Sequence, residues 1–217
     1  MQIYDSEHEY SQAVRSYLIN HQHLEFLIQI LEDPLCRNKR IFLFGGTVRD
    51  ALIKYINNED ISSKDFDLMF DNSDEEMDFE LLMLGKENLA TNKFGYIKWS
   101  PMSSFELDLT PLLCVINETR FKTLEERLNF LDLTTSSLAF DLTNNILYDI
   151  STVDGIKSKE VDINNNYLDA PVRALYHSLK LGFTLGPKAM QLFRDINPET
   201  LEQSIDKYLT RKNLNEY

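Results

Sequence analysis

Apolar residues recur along the chain at two spacings, and the change between them separates predicted helices from predicted strands. Between residues 7 and 32 they recur every three or four positions, which is the spacing of one or two amphipathic helices. Pro34 ends this pattern, because proline cannot continue a helix interior. The short apolar run at 41–44 then indicates a buried strand.

Downstream of this run the pattern predicts an alternation of helices and strands. Further strands are expected at 65–70, 94–99, 105–109 and 146–149. Helices are expected at 47–56, from about 78 towards 88, at 134–140, 171–183 and 188–193, followed by one more polar helix and a frayed end through 217. Asn144-Asn145 is a predicted turn before the strand at 146–149.

Two glycines, Gly45 and Gly46, lie between the first predicted strand and the helix that follows it. Glycine has no Cβ, so its backbone can approach a phosphate closely, and a helix N-terminus offers free amides and a partial positive charge. The pair therefore favours a phosphate-binding turn. The alternative is a simple tight turn between strand and helix.

Two carboxylates, Asp65 and Asp67, are separated by one residue in the next predicted strand. Side chains alternate along a strand, so both carboxylates should point to one face. Neighbouring like charges are unfavourable unless a cation lies between them. The pattern thus indicates a Mg²⁺ site, with the alternative that Asp65 caps a turn and Asp67 faces solvent.

The run GGTVRD at 45–50, followed by KDFD at 64–67, resembles the head domain of the tRNA nucleotidyltransferase and bacterial poly(A) polymerase family, within the DNA polymerase β-like superfamily. Matching segments extend over roughly residues 40 to 185: FGYIKW at 94–99, FELDLT at 105–110, the stretch 124–140, Tyr148-Asp149, and KLGF at 180–183. The resemblance implies an α/β (α+β) nucleotidyltransferase head, a small mixed sheet flanked by helices, over residues 1–165. It implies a short helical neck over 166–217.

The resemblance also implies a two-metal Mg²⁺ site that grips a nucleoside triphosphate such as ATP. Its ligands would be Asp65, Asp67 and Asp108, with Glu106 as the reserve for Asp108. The family places further side chains and backbone against the nucleotide. The matching positions here are Gly45, Gly46, Arg49, Asp132 and Arg173. For Asp50 we favour a role as a first-turn acid that stabilises the helix dipole.

Several positions depart from the family pattern. Two arginines and an asparagine that help to hold the nucleotide are replaced by Phe130, Leu131 and Ser136. Lysines elsewhere are possible replacements, namely Lys93, Lys98 and Lys122. The neck helix of the family reads the base with two arginines, and either alignment of residues 169–183 leaves Arg173 alone.

We therefore expect a metal-dependent nucleotidyltransferase that moves a nucleoside monophosphate from an NTP to a hydroxyl of an RNA 3′ end, a small molecule or a protein. The alternative is a degenerate head domain that binds or regulates a protein partner. With a formal net charge of −13 and no room for the RNA-gripping body and tail of the family, the chain is not expected to bind free tRNA tightly.

The remaining composition adds little chemistry. Cys36 and Cys114 form neither a disulfide framework nor a metal-binding spacing, and no apolar stretch approaches the length of a membrane span. These features favour a cytoplasmic protein. His21 and His23, two positions apart on a predicted helix, are expected to point apart, and His177 is expected to be a helix-surface or packing residue.

Overall fold

The computed structural model describes residues 1–61, 63–73, 77–92, 95–116, 119–165, 169–199, 201–203 and 205–206. The strands are β1 Gln2–Tyr4, β2 Ile41–Phe44, β3 Asp65–Phe70, β4 Leu89–Thr91, β5 Ile97–Met102, β6 Phe105–Pro111, β7 Val115–Ile116, β8 Thr119–Arg120, β9 Leu138–Asp141, β10 Ile146–Asp149, β11 Glu160–Val161 and β12 Thr184–Leu185. The helices are α1 Glu9–Ile19, α2 Leu24–Leu31, α3 Gly46–Asn57, α4 Phe79–Leu82, α5 Leu124–Asn129, α6 Thr152–Ser158, α7 Ala170–Leu181 and α8 Pro187–Asp195.

An eight-stranded mixed sheet organises these elements, in the order β1-β10-β9-β2-β3-β6-β5-β4. The central strands β3 and β6 run parallel, whereas the other neighbours in this sheet pair antiparallel. Two small pairs lie outside the sheet: β7 with β8, and β11 with β12. The predicted architecture, a mixed sheet flanked by helices, is confirmed.

One face of the sheet forms the main hydrophobic core. The alternate residues Phe66, Leu68 and Phe70 of β3 lie fully buried there, together with apolar side chains from α1, α2 and α3. On the opposite face, a smaller cluster that includes Met69 and Leu128 of α5 covers only part of the sheet. Strand alternation therefore leaves polar residues of β3 uncovered at one end of that second face.

The predicted helix at 134–140 is wrong. Residues Thr134–Ser136 form a single 3₁₀ turn, and β9 follows directly, paired with β2 on one side and β10 on the other. Leu138, Ala139 and Phe140 are buried by layers on both faces of the sheet, so the run lacks the polar alternation that would have identified a strand. The turn at Asn144-Asn145 is confirmed, with Asn145 in the left-handed region at φ 57°.

Other differences concern short elements. The helix predicted to run towards residue 88 ends at Leu82, and residues 89–91 form the edge strand β4. The strand β1 was not predicted, since three residues are too few to show a period. Lys93, Phe94 and the end of the chain through 217 were assigned from the sequence but lie outside the described residues.

The two histidines near the N-terminus do not share a helix. His21 and His23 lie in the connection between α1 and α2, where both are buried with ring centroids 5.7 Å apart. They pack behind the central strands, His21 against Phe66 and His23 against Phe105. Both rings are therefore part of the core that supports β3 and β6.

The predicted boundary between a head and a neck at residue 165 stays a prediction. Around it, β11 and β12 pair across the intervening α7, and the Asp162 side chain accepts hydrogen bonds from the first backbone amides of α8. None of the described helices combines the length and the apolar character needed to cross a lipid bilayer.

Candidate functional site

The register of the central parallel strands brings the sequence-predicted carboxylates to one face of the sheet. Asp67 of β3 lies directly opposite Asp108 of β6, and Asp65 lies opposite Glu106. Partners in register share a face, and residues two apart on one strand share it too. The register thus brings Asp108 and the reserve candidate Glu106 to the face of the sheet that contains Asp65 and Asp67.

The glycine turn packs against these carboxylates. Gly45 has φ 72°, a left-handed conformation that favours glycine, and a Cβ built on it would lie 3.0 Å from Asp67 Oδ2. A Cβ on Gly46 would lie 3.3 Å from Ser63 Oγ and 3.9 Å from Asp65 Oδ1. The Thr47 hydroxyl donates to the backbone carbonyl of Asp65 at 2.6 Å and joins the start of α3 to β3. Glycine at 45 thus permits both the turn and the close approach.

Burial and mutual repulsion raise the pKa values of the three aspartates. The pKa of Asp67 lies well above its usual range, first because the carboxylate is desolvated and then because Asp65 and Asp108 are near. Desolvation also raises the pKa of Asp108, with Lys98 acting in the opposite direction. The pKa of Asp65 is raised by desolvation too, but its side chain is exposed, so we expect a smaller rise there.

Lys98 of β5 is the nearest cation to Asp108. It pairs with Asp108 in the antiparallel register, and its ammonium lies 2.7 Å from Glu106 Oε2 and 3.7 Å from Asp108 Oδ2. The Asn92 amide donates to the other oxygen of Asp108 at 3.2 Å. In the described part of the chain, no three His, Cys, Asp or Glu side chains are arranged to hold a metal ion. The carboxylates share a face, but a lysine neutralises part of their charge.

Arg49 and Asp50 form a buried ion pair at the start of α3. The Arg49 guanidinium is 3% exposed and lies 2.6 Å from Asp50 Oδ1, while Ser63 donates to Asp50 Oδ2 at 3.0 Å. The expectation that Asp50 is a first-turn acid is wrong: α3 begins at Gly46, so Asp50 lies beyond the first turn and is fully buried. Its role in the structure is to hold the Arg49 guanidinium beside Gly46.

Asp132 and Arg173, two residues predicted from the resemblance to bind nucleotide, contact each other. Arg173 Nη1 lies 2.5 Å from Asp132 Oδ2, with a third of the Arg173 side chain exposed. Arg173 also acts electrostatically on Asp67 and favours its ionised form. The pair therefore lies within electrostatic reach of the carboxylate face.

The departures from the family pattern have structural counterparts. Phe130 packs edge-on against Phe121, with ring centroids 4.6 Å apart, and the Arg127 guanidinium lies 5.1 Å from the Phe121 ring. Leu131 packs against the smaller hydrophobic cluster. Of the lysines considered as replacement cations, Lys98 lies in the site, and Lys122 is exposed just before α5.

Two residues of α7 were not selected from the sequence as site residues: Lys180, which was not considered, and His177, which was expected to be a surface or packing residue. Lys180 of α7 acts electrostatically on Asp65. His177 is half-buried, and desolvation together with Arg49, Arg173 and Lys180 lowers the pKa of its imidazole to about 3. Their spacing in the sequence could have grouped them with Arg173, because residues 173, 177 and 180 are spaced to share one helix face.

Similar folds occur in solved structures of CCA-adding enzymes. A CCA-adding enzyme with ATP matches with a TM-score of 0.67 and 16% identity, over 97% of this chain and 51% of that one. The Thermotoga maritima CCA-adding enzyme complexed with tRNA matches with a TM-score of 0.63 and 17% identity, over 97% and 48%. A tRNA-processing enzyme with CTP matches with a TM-score of 0.53 and 19% identity, over 80% and 45%.

The chain therefore spans about half the length of the solved structures that it matches. At these identities the likeness shows the fold alone, a tRNA nucleotidyltransferase-like fold. No model of a known protein family matches the sequence, and no curated protein matches it.

We predict that Asp67→Asn stabilises the metal-free protein at pH 8. The native pKa of Asp67 is raised, so the native state binds more protons than the unfolded state from about pH 4 up to that pKa, and stability falls as the pH rises through this window. The amide does not ionise and so removes this loss of stability. The free energy of unfolding should rise by at least about 1 kcal/mol, since one pKa unit corresponds to about 1.4 kcal/mol. Urea unfolding in EDTA at several pH values measures it.

Asp195→Asn, at the exposed end of α8, is the matched control and should change stability by less than about 0.5 kcal/mol at every pH. A loss of stability in Asp67→Asn at pH 8 would contradict the electrostatic account and identify Asp67 as a structural residue.

We further predict that Gly45→Ala destabilises the protein more than Gly85→Ala. Both glycines have positive φ, which should cost an alanine about 1–2 kcal/mol, but only at Gly45 would the new Cβ meet a neighbour, Asp67 Oδ2. Overpacking should add about 1 kcal/mol or more at Gly45. Urea unfolding compares the free energies of unfolding of the two variants. Equal losses of stability would show that the turn is not in close contact with Asp67.

Proposed function

We propose that this protein is a metal-dependent nucleotidyltransferase that moves a nucleoside monophosphate from an NTP to a hydroxyl acceptor. The observation on which the proposal rests is the parallel register of β3 and β6, which aligns Asp67 with Asp108 and keeps Asp65 on the same face. Three carboxylates on one face, beside a glycine turn at a helix N-terminus, are suited to a divalent cation and a triphosphate.

The donor chemistry fits Mg²⁺. Carboxylate oxygens are ligands that Mg²⁺ prefers, and the raised pKa of Asp67, caused by burial and by its aspartate neighbours, is the strain that a bound cation would relieve. Among the described residues Asp65, Asp67 and Asp108 are not arranged around one point, so their oxygens would have to converge to hold the metal. When bound, the metal would activate the attacking hydroxyl and neutralise the leaving pyrophosphate.

The surrounding residues would bind and orient the nucleotide. The Gly45-Gly46 turn brings its backbone close to the carboxylates, because no side chain projects from it towards Asp67. Arg49, held rigidly by Asp50, would present a fixed cation to the phosphates. The Asp132–Arg173 pair, with its partly exposed guanidinium, would face the base or sugar.

Lys98 would control the charge of the third carboxylate. Its ammonium lies between Glu106 and Asp108, so a cation entering at Asp108 competes with Lys98 for the same oxygens. In our proposal Lys98 keeps Glu106 while the metal takes Asp108, since the 2.7 Å contact to Glu106 is much shorter than the 3.7 Å contact to Asp108.

The acceptor is proposed to be an RNA 3′ end, with a small molecule or protein hydroxyl as alternatives. Structures of similar fold include a CCA-adding enzyme complexed with tRNA, which favours RNA. The formal net charge of −13 argues that the RNA reaches the site through contacts made by a partner chain, because phosphates require compensating cations.

A second candidate function is a degenerate head domain that binds nucleotide or a protein partner without turnover. The observations that favour it are the apolar residues Phe130 and Leu131 at family arginine positions and the lysine beside Asp108. The two candidates differ in one measurable property, the formation of a new phosphodiester bond.

We predict that wild-type protein incorporates label from at least one α-labelled NTP into an acceptor panel with Mg²⁺ or Mn²⁺. Asp67→Asn should lower the rate by at least about 100-fold, the scale on which loss of one preorganised charge-stabilising group acts. Asp195→Asn should retain wild-type activity. NTP binding without incorporation by wild type, under any of these conditions, would instead support the degenerate domain.

We predict that this chain alone binds free tRNA weakly, with a Kd above about 1 μM at about 150 mM salt. Tight binding needs many phosphate contacts, and the chain has 22 Lys and Arg against 35 Asp and Glu. A titration over a salt series measures it. Sub-micromolar affinity with a steep salt dependence would show that the chain grips RNA directly.

A further inference from the structure

We infer that Glu106 sets the metal affinity of the site as the resting partner of Lys98, and that it is not itself a metal ligand. Lys98 is then a movable counter-ion, shared between Glu106 and Asp108 in the structure and released to Glu106 when a divalent cation binds Asp108. This inference rests on the proposed function. It assigns separate roles to the two candidates for the third carboxylate, Asp108 as ligand and Glu106 as a positioning residue.

Lys98 lies between two acids of the neighbouring strand. In the antiparallel register of β5 with β6, Lys98 is directly opposite Asp108. Glu106 precedes Asp108 by two positions on β6, so both carboxylates project from the same face of that strand. The Lys98 ammonium lies 2.7 Å from Glu106 Oε2 and 3.7 Å from Asp108 Oδ2. One ammonium therefore serves two carboxylates, and Glu106 is the closer of the two.

Both carboxylate oxygens of Asp108 already have partners. Oδ2 faces the Lys98 ammonium, and Oδ1 accepts a hydrogen bond from the side-chain amide of Asn92 at 3.2 Å. The Asn92 side chain is itself held, because its oxygen accepts a hydrogen bond from the backbone N–H of Tyr96 at 3.1 Å. A divalent cation that binds Asp108 must therefore replace the Lys98 contact or the Asn92 hydrogen bond. These contacts are a physical reason why the described acids do not converge on one point.

Glu106 lowers the cost of releasing Asp108 from Lys98. The side chains of Lys98 and Asp108 are only 18% and 21% exposed, so salt screens their attraction less than it screens an ion pair at the surface. A divalent cation at Asp108 repels the nearby ammonium. Because Glu106 already lies 2.7 Å away, the ammonium keeps one ion pair when it leaves Asp108. Without Glu106, the metal would leave Lys98 without a carboxylate partner on β6.

The first arm of the test is a titration of the full chain with Mn²⁺ at pH 7, in which the electron paramagnetic resonance signal of free Mn²⁺ gives the Kd. Lys98→Met should bind Mn²⁺ at least about tenfold more tightly than wild type, because the competing charge is gone. Lys98→Arg keeps the charge and should bind as weakly as wild type. Lys54→Met removes an exposed lysine paired with Asp60 near the end of α3, and this matched control should leave the Kd unchanged.

The second arm is a double-mutant cycle that separates the two possible roles of Glu106. Glu106→Gln alone should weaken Mn²⁺ binding by at least about fivefold, because Lys98 is then left with Asp108 as its only carboxylate on β6. In the Lys98→Met background the same change should alter the Kd by less than about twofold. Urea unfolding checks that each variant is folded, and Lys98→Gln replaces Lys98→Met in both arms if the latter does not fold.

The outcomes separate the inference from the proposed function. Mn²⁺ binding that Lys98→Met does not tighten overturns the inference and leaves the proposed function standing. An equal loss from Glu106→Gln in both backgrounds has the same meaning, because it identifies Glu106 as a ligand. Binding that is the same in wild type and Asp67→Asn would place the ion outside the site and overturn both. The expected affinities without incorporation of label from any NTP support the inference and contradict the proposed function.

Discussion

The arrangement of this protein depends on the parallel pairing of β3 with β6 at the centre of the sheet. That pairing forces Asp67 and Asp108 into direct opposition on a face where neither can move far from the other, since the strand backbones are held by hydrogen bonds along their length. The opposite face of the same strands is the core, with Phe66 packed against Phe105 at a centroid distance of 5.0 Å. Burial of the phenylalanines thus holds the aspartates close together. The free energy of core burial offsets the electrostatic repulsion between the carboxylates.

The same constraint explains the chemistry of the residues nearby. Carboxylates that cannot separate need cations, and the structure surrounds them with Lys98 from the sheet, Arg49 from α3, and Arg173 and Lys180 from α7. Arg49 and Arg173 are each fixed by an acidic partner, whereas Lys180 is exposed. Arg49 and Arg173 are therefore the cations whose positions an ion pair fixes.

The apolar side chains of Phe130 and Leu131 have packing roles. Phe130 completes an aromatic contact with Phe121, and Leu131 joins the second hydrophobic cluster, so this side of the site is stabilised by packing. Positive charge on α7 comes from Arg173 and Lys180, which are spaced to lie on one face of the helix.

The sequence by itself determined the local features that depend on short-range rules. Period-two alternation predicted that Asp65 and Asp67 share a face, and the turn at Gly45 followed from the one residue type that tolerates a φ of 72° without strain. The expectation of one or two helices before Pro34 followed from a pattern of the same kind, whereas the fold class was expected from the resemblance of the motifs to a known family.

The tertiary structure alone decided what depends on pairing between distant segments. It placed β9 in the middle of the sheet, where burial on both faces removes the period that distinguishes a strand from a helix. It made Asp50 the buried partner of Arg49, set Lys98 beside Asp108, and paired Arg173 of α7 with Asp132. The charge around each of these groups comes from residues far away in sequence, so the pattern of neighbouring residues along the chain cannot predict it.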